Sequence, residues 1–172
     1  MPDGPEGKDE EQVQGWRAVF DAEYTVDEDA EIAELGSDFG LWKQSQDGLA
    51  FPAGHMHEWL ATTVESIREL RPRRVLEVGV GTGLLLAELA GGCDSYWGTD
   101  LSLEVITALR RQVSRAPELA DRVRLRHQDA GDVTGLPSDY FDTVVINSVV
   151  QYFPGGQYLL DGDPQEGSFH LV

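Results

Sequence analysis

Three glycines two residues apart, Gly79, Gly81 and Gly83, stand where an apolar strand gives way to a helix. At such a turn the missing Cβ atoms let a ligand approach the backbone and free N–H groups point outward, so the chemistry indicated is capture of something small and polar. The dinucleotide fingerprint G-x-G-x-x-G/A needs Gly or Ala at position 84, but Leu84 stands there. The spacing is instead E-x-G-x-G-x-G, opening on Glu77. Asp100 ends a second strand, 17 residues past Gly83. It is placed to take both hydroxyls of a ribose, or else it caps the helix that follows. A third strand ends at Asp129, followed by the small Ala130, where an adenine amino group would be met; taken alone, Asp129 is a loop acid. Together the three strand ends converge on one nucleoside-shaped ligand, at the carboxyl edge where open α/β sheets bind ligands. No metal is indicated. His55 and His57 lack an acidic or Cys ligand to complete a set, and the single Cys93 has no partner for a disulfide or zinc site and reads as a small buried hydrophobe.

These residues need a sheet and helices to hold them. Met56, Trp59, Leu60, Thr63, Val64, Ile67 and Leu70 recur at three- and four-residue intervals, which predicts a helix that Pro72 ends. Residues 73–78 form a short apolar strand, and Leu84 to Ala90 a helix with Leu85, Leu86 and Leu89 on one side. Tyr96 to Thr99 is a second strand; Ser102 then caps a helix through Arg115 that buries Val105, Ile106, Leu109 and Val113. Residues 122–127 alternate strictly, as a sheet-edge strand with one wet face should. By contrast Phe141, Val144, Val145 and Ile146 form a nearly continuous apolar run, the mark of a strand buried on both faces. Ahead of this core, Val13, Trp16, Val19 and Phe20 predict an amphipathic helix over 10–24, Asp27-Glu28-Asp29 a solvated run, and 36–54 an ordered loop carrying Trp42, Phe51 and Pro52. Trp42 and Trp59 are expected to pack rather than to touch a ligand. The expected division is an acidic helical and loop extension at 1–54, a core at 55–160 and a polar tail at 161–172.

A chain of 172 residues with a net charge of −18 and 41% hydrophobic residues has material for one packed domain. Such acidity argues against a surface that neutralises phosphates, so nucleic acid is not an expected partner. No apolar stretch is long enough to span a membrane, and the start lacks a signal-peptide profile, which predicts a cytoplasmic protein. The charge is uneven: residues 1–40 hold 13 acidic and 2 basic side chains, so most of it precedes the glycine loop.

The residues Arg73-Arg74-Val75-Leu76-Glu77-Val78-Gly79-Val80-Gly81-Thr82-Gly83-Leu84-Leu85-Leu86 and Tyr96-Trp97-Gly98-Thr99-Asp100-Leu101-Ser102 resemble class I S-adenosylmethionine-dependent methyltransferases. The block Phe141-Asp142-Thr143-Val144-Val145-Ile146-Asn147-Ser148-Val149-Val150-Gln151-Tyr152-Phe153-Pro154 narrows the resemblance to the methyltransferase domains of nonribosomal peptide synthetases. That resemblance, over roughly 12–160, implies a Rossmann-like, three-layer αβα fold with parallel strands in the order 3-2-1-4. It implies S-adenosyl-L-methionine as cofactor. Gly79, Gly81, Thr82 and Gly83 would hold its methionyl part, with Glu77 orienting the amino group through the loop. Asp100 and Leu101 would meet the ribose, and Asp129 and Ala130 the adenine. Asn147 would line the cofactor and accept a hydrogen bond from the target amine, and Gln151 and Tyr152 would extend the catalytic rim. Phe39 to Lys43 and the helix from Met56 resemble the segment that closes over the cofactor. The implied reaction is N-methylation of an aminoacyl thioester bound to a peptidyl carrier protein.

The family's core has seven strands, ordered 3-2-1-4-5-7-6, and 161–172 does not match its continuation, though Phe169, Leu171 and Val172 could begin a stub strand. The expectation is therefore a core lacking its C-terminal strands, whose fourth strand would be a bare edge needing a partner chain or a neighbouring synthetase domain. Two other readings stand beside it: a catalytically silent remnant that binds cofactor or serves as scaffold, and a nicotinamide-binding domain, which Leu84 disfavours.

Overall fold

The computed structural model describes Gly15, residues 34–40 and 52–147, and the backbone of 170–171. The expected helix at 10–24, the run at 27–29, Trp42, Phe51, Gln151, Tyr152 and most of the 161–172 tail lie outside the described residues.

Helix α1 (Ala53–Glu69) leads into β1 (Arg74–Val78), α2 (Leu84–Leu89), β2 (Ser95–Asp100), α3 (Leu103–Val113), the short α4 (Pro117–Ala120), β3 (Val123–His127), β4 (Thr143–Ile146) and β5 (His170–Leu171). The sheet order is β3-β2-β1-β4-β5, with every pairing parallel. The expected order 3-2-1-4 is therefore present. β4 is not bare, because Thr143 pairs with His170 and Val144 with Leu171, so the stub strand forms and covers two positions of the expected open edge.

Strand pairing explains the burial. Val75 is level with Tyr96 and Thr143, Glu77 with Gly98 and Val145, and Tyr96 with Val123; since side chains alternate, these share one face. On that face a single core joins Leu60, Val64 and Ile67 of α1, all four leucines of α2, Val105, Ile106, Leu109 and Val113 of α3, and Leu119 of α4. All the described helices feed this core, so the described residues show two layers of the expected αβα arrangement. On the opposite face Trp97 meets Phe141 edge-on at 5.6 Å, Phe141 meets Tyr140 at 5.2 Å, and the Arg126 guanidinium lies over Trp97 at 5.9 Å. Phe141 thus ends up in this aromatic cluster just ahead of β4, which begins at Thr143.

The edge reading of β3 is borne out: Val123 and Leu125 are buried while Arg124 is exposed. α1 starts at Ala53 behind Pro52, ahead of Met56 where the apolar periodicity begins, because a proline needs no N–H partner at a helix start. Ser102 caps α3, its hydroxyl accepting from the Val105 N–H. Trp59 packs half-buried against the core. Cys93 is buried, and that burial pushes its thiol up to about 11, in keeping with an inert packing role. No helix among the described residues is long and apolar enough to cross a membrane.

Candidate functional site

At the carboxyl edge the register sets four positions in a row. Val78 pairs with Thr99 on one side and Ile146 on the other, while Asp100 pairs with His127. The next residue of β1, Gly79, therefore lies between Asp100 on one side and Asn147 on the other. Of the strand ends predicted to converge, Gly79, Asp100 and Asn147 fall on one row at the carboxyl edge, with Asp129 two residues beyond His127.

The loop is built by its backbone. Gly79 and Val80 N–H both donate to the Thr99 carbonyl, at 2.8 and 2.9 Å, and Gly83 N–H donates to Val80 O at 3.0 Å. Gly79, Gly81 and Gly83 have φ of 77°, 51° and 78°, a region L side chains rarely adopt. Gly83 also caps α2, and a Cβ there would sit 2.6 Å from a Leu109 methyl. The glycine pattern is thus demanded by both backbone sign and packing.

Two acids flank this loop with different surroundings. Asp100, half-buried, accepts Gly81 N–H through Oδ2 and Ser102 N–H through Oδ1, each at 2.9 Å. Burial raises its pKa, against the lowering effect of those backbone donors and of His127. Each carboxylate oxygen has a further lone pair, so a vicinal diol can still be held in bidentate fashion. Glu77 is 3% exposed and receives the Tyr96 hydroxyl at 2.7 Å. Burial pushes it up to about 8, with the Tyr96 bond opposing and Asp100 adding to the rise. Neither acid has an ion pair to Arg or Lys among the described residues. This donor set fits a polar ligand that carries positive charge.

A strap formed by 34–40 lies against the loop. Thr82 hydroxyl donates to Asp38 O at 2.6 Å, Leu35 approaches Gly83, and Gly36, with φ 77°, rests so close to Ala87 that a Cβ would come within 2.5 Å of the Ala87 Cβ. Phe39 meets His57 of α1 edge-on at 4.9 Å. Thr82 is therefore placed to lock the strap as well as to line the loop.

On the far side, Asp129 Oδ1 accepts Gly131 N–H at 2.8 Å, and Asp129 and Ala130 are half-buried. Leu101 O is 2.9 Å from His127 Nε2. Gln128, buried at 6%, has its N–H on Asp100 O at 2.9 Å, while its side chain joins Arg126 Nε at 2.7 Å to the carbonyls of Asp132 and Thr134. Tyr96, Gln128 and His127 were missed by sequence reasoning; only their adjacency to Glu77 and Asp100 in the folded sheet marks them. Asn147 is half-buried at the end of β4. No group of three His, Cys, Asp or Glu side chains among the described residues could hold a metal.

Residues 76–166 match the family described as "Methyltransferase domain". The chain belongs to the methyltransferase-domain family. Its cofactor is S-adenosylmethionine, and the cationic ligand favoured by the paired acids agrees with that. The methyltransferase domain is 44% identical over 157 residues to the probable non-canonical nonribosomal peptide synthetase CymA of Salinispora arenicola, covering 91% of this chain and 2% of that protein. It is 43% identical over 155 residues to chondramide synthase cmdD of Chondromyces crocatus, covering 90% of this chain and 4% of that protein. It thus spans a few per cent of the length of these relatives. Among solved structures, the S-adenosylmethionine-dependent methyltransferase from Thiobacillus denitrificans in complex with S-adenosyl-L-homocysteine is 26% identical, with a TM-score of 0.51, covering 66% of this chain and 46% of that one. Magnesium protoporphyrin IX methyltransferase ChlM from Synechocystis PCC 6803, with bound SAH, shares the fold at 16% identity and a TM-score of 0.56, over 88% of this chain and 66% of that one.

Proposed function

We propose that this methyltransferase domain N-methylates an aminoacyl thioester held on a peptidyl carrier protein within nonribosomal peptide synthesis. The observation that carries this reading is Asn147, level with Gly79 at the carboxyl edge, in a chain whose relatives are synthetases. When bound, S-adenosylmethionine supplies an electrophilic methyl group on a sulfonium. In this reading Gly79, Gly81, Thr82 and Gly83 receive the methionyl part, Asp100 and Leu101 the ribose, and Asp129 with Ala130 the adenine. The core at 55–160 is the cofactor-binding unit, and 1–54 contributes the strap.

Transfer to a neutral amine is an in-line displacement, so the protein's task is alignment and keeping the nitrogen lone pair free. The Asn147 side-chain oxygen accepts an N–H from the amine and turns its lone pair toward the methyl, with Gln151 and Tyr152 extending the polar rim. The amine proton leaves to solvent after transfer. The test is a carrier protein loaded with aminoacyl thioester, incubated with cofactor and read by mass spectrometry. A gain of one methyl on nitrogen is expected, with Asn147→Ala slowing it by about two orders of magnitude, the size of a lost positioning or acid–base contact. Methylation on oxygen or carbon, or cofactor binding without transfer, would replace this reading; the latter is the behaviour of a silent binding remnant.

A further inference from the structure

Glu77 and Tyr96 are the most deeply buried polar couple of the site. The Tyr96 ring is 0% exposed and Glu77 3%, and the hydroxyl donates to Oε2 at 2.7 Å. The strand pairing explains the meeting: Tyr96 is level with Val75, on the same face as Glu77 two residues on. A tyrosine fully inside an apolar core leaves its hydroxyl unsatisfied unless a partner is supplied, and here that partner is an acid at the base of the cofactor loop. The groups that act on Glu77 are Tyr96 and Asp100, the second another acid; Cys93 acts on Tyr96 and His127 acts on Asp100. Among the described residues no lysine or arginine compensates it, whereas the more exposed acids Glu88, Asp94 and Asp142 each pair with an arginine.

We propose that Tyr96 is a positioning residue for cofactor capture, its hydroxyl fixing the Glu77 carboxyl as an uncompensated acid beneath the glycine loop, so that arrival of the cationic cofactor releases a proton from Glu77 to solvent. Before binding, the buried acid with no cation keeps its proton at neutral pH, as its raised value of about 8 agrees. Positive charge brought to the loop favours the carboxylate, and the Tyr96 hydroxyl, a donor to that ionised form, lowers the cost of making it. The O–H bond of the Glu77 carboxyl breaks, both electrons stay on the carboxylate, and the proton passes to water. The inference rests on the cofactor and not on the identity of the methyl acceptor.

Titration calorimetry with S-adenosylmethionine in two buffers of different ionisation enthalpy, from pH 6 to 9, reads the released proton directly. The wild-type protein is expected to release most of one proton at pH 7 and little at pH 9, with affinity rising about tenfold per pH unit below the plateau. Glu77→Gln should abolish the release and flatten the profile. Tyr96→Phe should weaken binding at pH 7 by about tenfold, the size of one hydrogen bond to a charged group, and move the plateau to higher pH. A merely structural role for Tyr96 would lower affinity equally at every pH. The cofactor-free protein supplies a second readout that needs no binding. Glu77 is raised on folding, so its contribution to stability is complete below about pH 4, declines as pH rises and is gone above about pH 8. The wild-type melting temperature should therefore fall across that window more steeply than that of Glu77→Gln. Proton release that survives in Glu77→Gln, parallel melting curves, or a Tyr96→Phe profile with an unmoved plateau would overturn the proposal.

Discussion

At the amino end of the sheet, Asp142 clasps β1 and β4: its Oδ1 accepts Arg73 N–H at 3.1 Å and its Oδ2 accepts Arg74 N–H at 3.0 Å, with the Arg74 side chain 3.8 Å away. At the carboxyl end, Asp100 holds Gly81 and Ser102 in the same two-armed way, and Glu77 takes a hydroxyl, but among the described residues no guanidinium joins either. The same residue type meets backbone donors at both ends, and the difference lies in compensation. Asp142 is neutralised within the chain and its work is finished when the sheet closes. Glu77 and Asp100 are left as acids in a poorly solvated place, which costs stability and reserves an attraction for a ligand that brings positive charge. Position in the sheet, more than residue type, separates clasp from binding site.

The largest effect should come from the site end. Asp100→Ala removes an acceptor of two backbone N–H groups and, under the proposed assignment, of a ribose diol, and should weaken S-adenosylmethionine binding by roughly a hundredfold or more, two charged hydrogen bonds' worth, as measured by calorimetry. Asp142→Ala should behave oppositely. It strips two half-exposed hydrogen bonds from the clasp, costs about 1–2 kcal/mol, and lowers the melting temperature by roughly 5 °C in a chain of this size, while cofactor affinity stays within about threefold. An Asp142→Ala protein that lost affinity as steeply as Asp100→Ala would erase the distinction between the two ends. Smallest of all, Asp94→Ala breaks the ion pair to Arg73, 2.7 Å long but 73% and 56% exposed. Its effect on thermal unfolding should be at most about 0.5 kcal/mol, since exposed pairs are screened and cost side-chain entropy; a larger loss would mean the amino end depends on compensation as well as on the clasp.

Much of this was legible in the sequence because it is local. Glycine spacing, a strand-terminal acid and the alternation of 122–127 are short-range signals, and they placed the loop, Asp100 and the edge strand. The apolar periodicities fixed α1 and α3 because each helix buries one stripe. What was not legible depends on pairing between distant segments. Tyr96 reads as an ordinary strand aromatic until the register of β1 against β2 points its hydroxyl at Glu77. Gln128 reads as a loop residue until its N–H is found on Asp100. The Thr82 link to Asp38 joins positions 44 residues apart, which no pattern in either segment announces. α4 was overlooked because four residues are too few to show a helical period, and only Pro117 at its first turn hints at it.

The Asp142 clasp closes across 69 residues, and β1 cannot receive β4 until that whole stretch has been made. During synthesis the central strand therefore emerges early with one edge unpaired, and stays so while both α2 and α3 and two further strands are being added. Long-range parallel pairing of this kind is slow and leaves strand edges open to the wrong neighbour. A shield for β1 during that interval, whether nascent chain or chaperone, would raise the yield of folded protein.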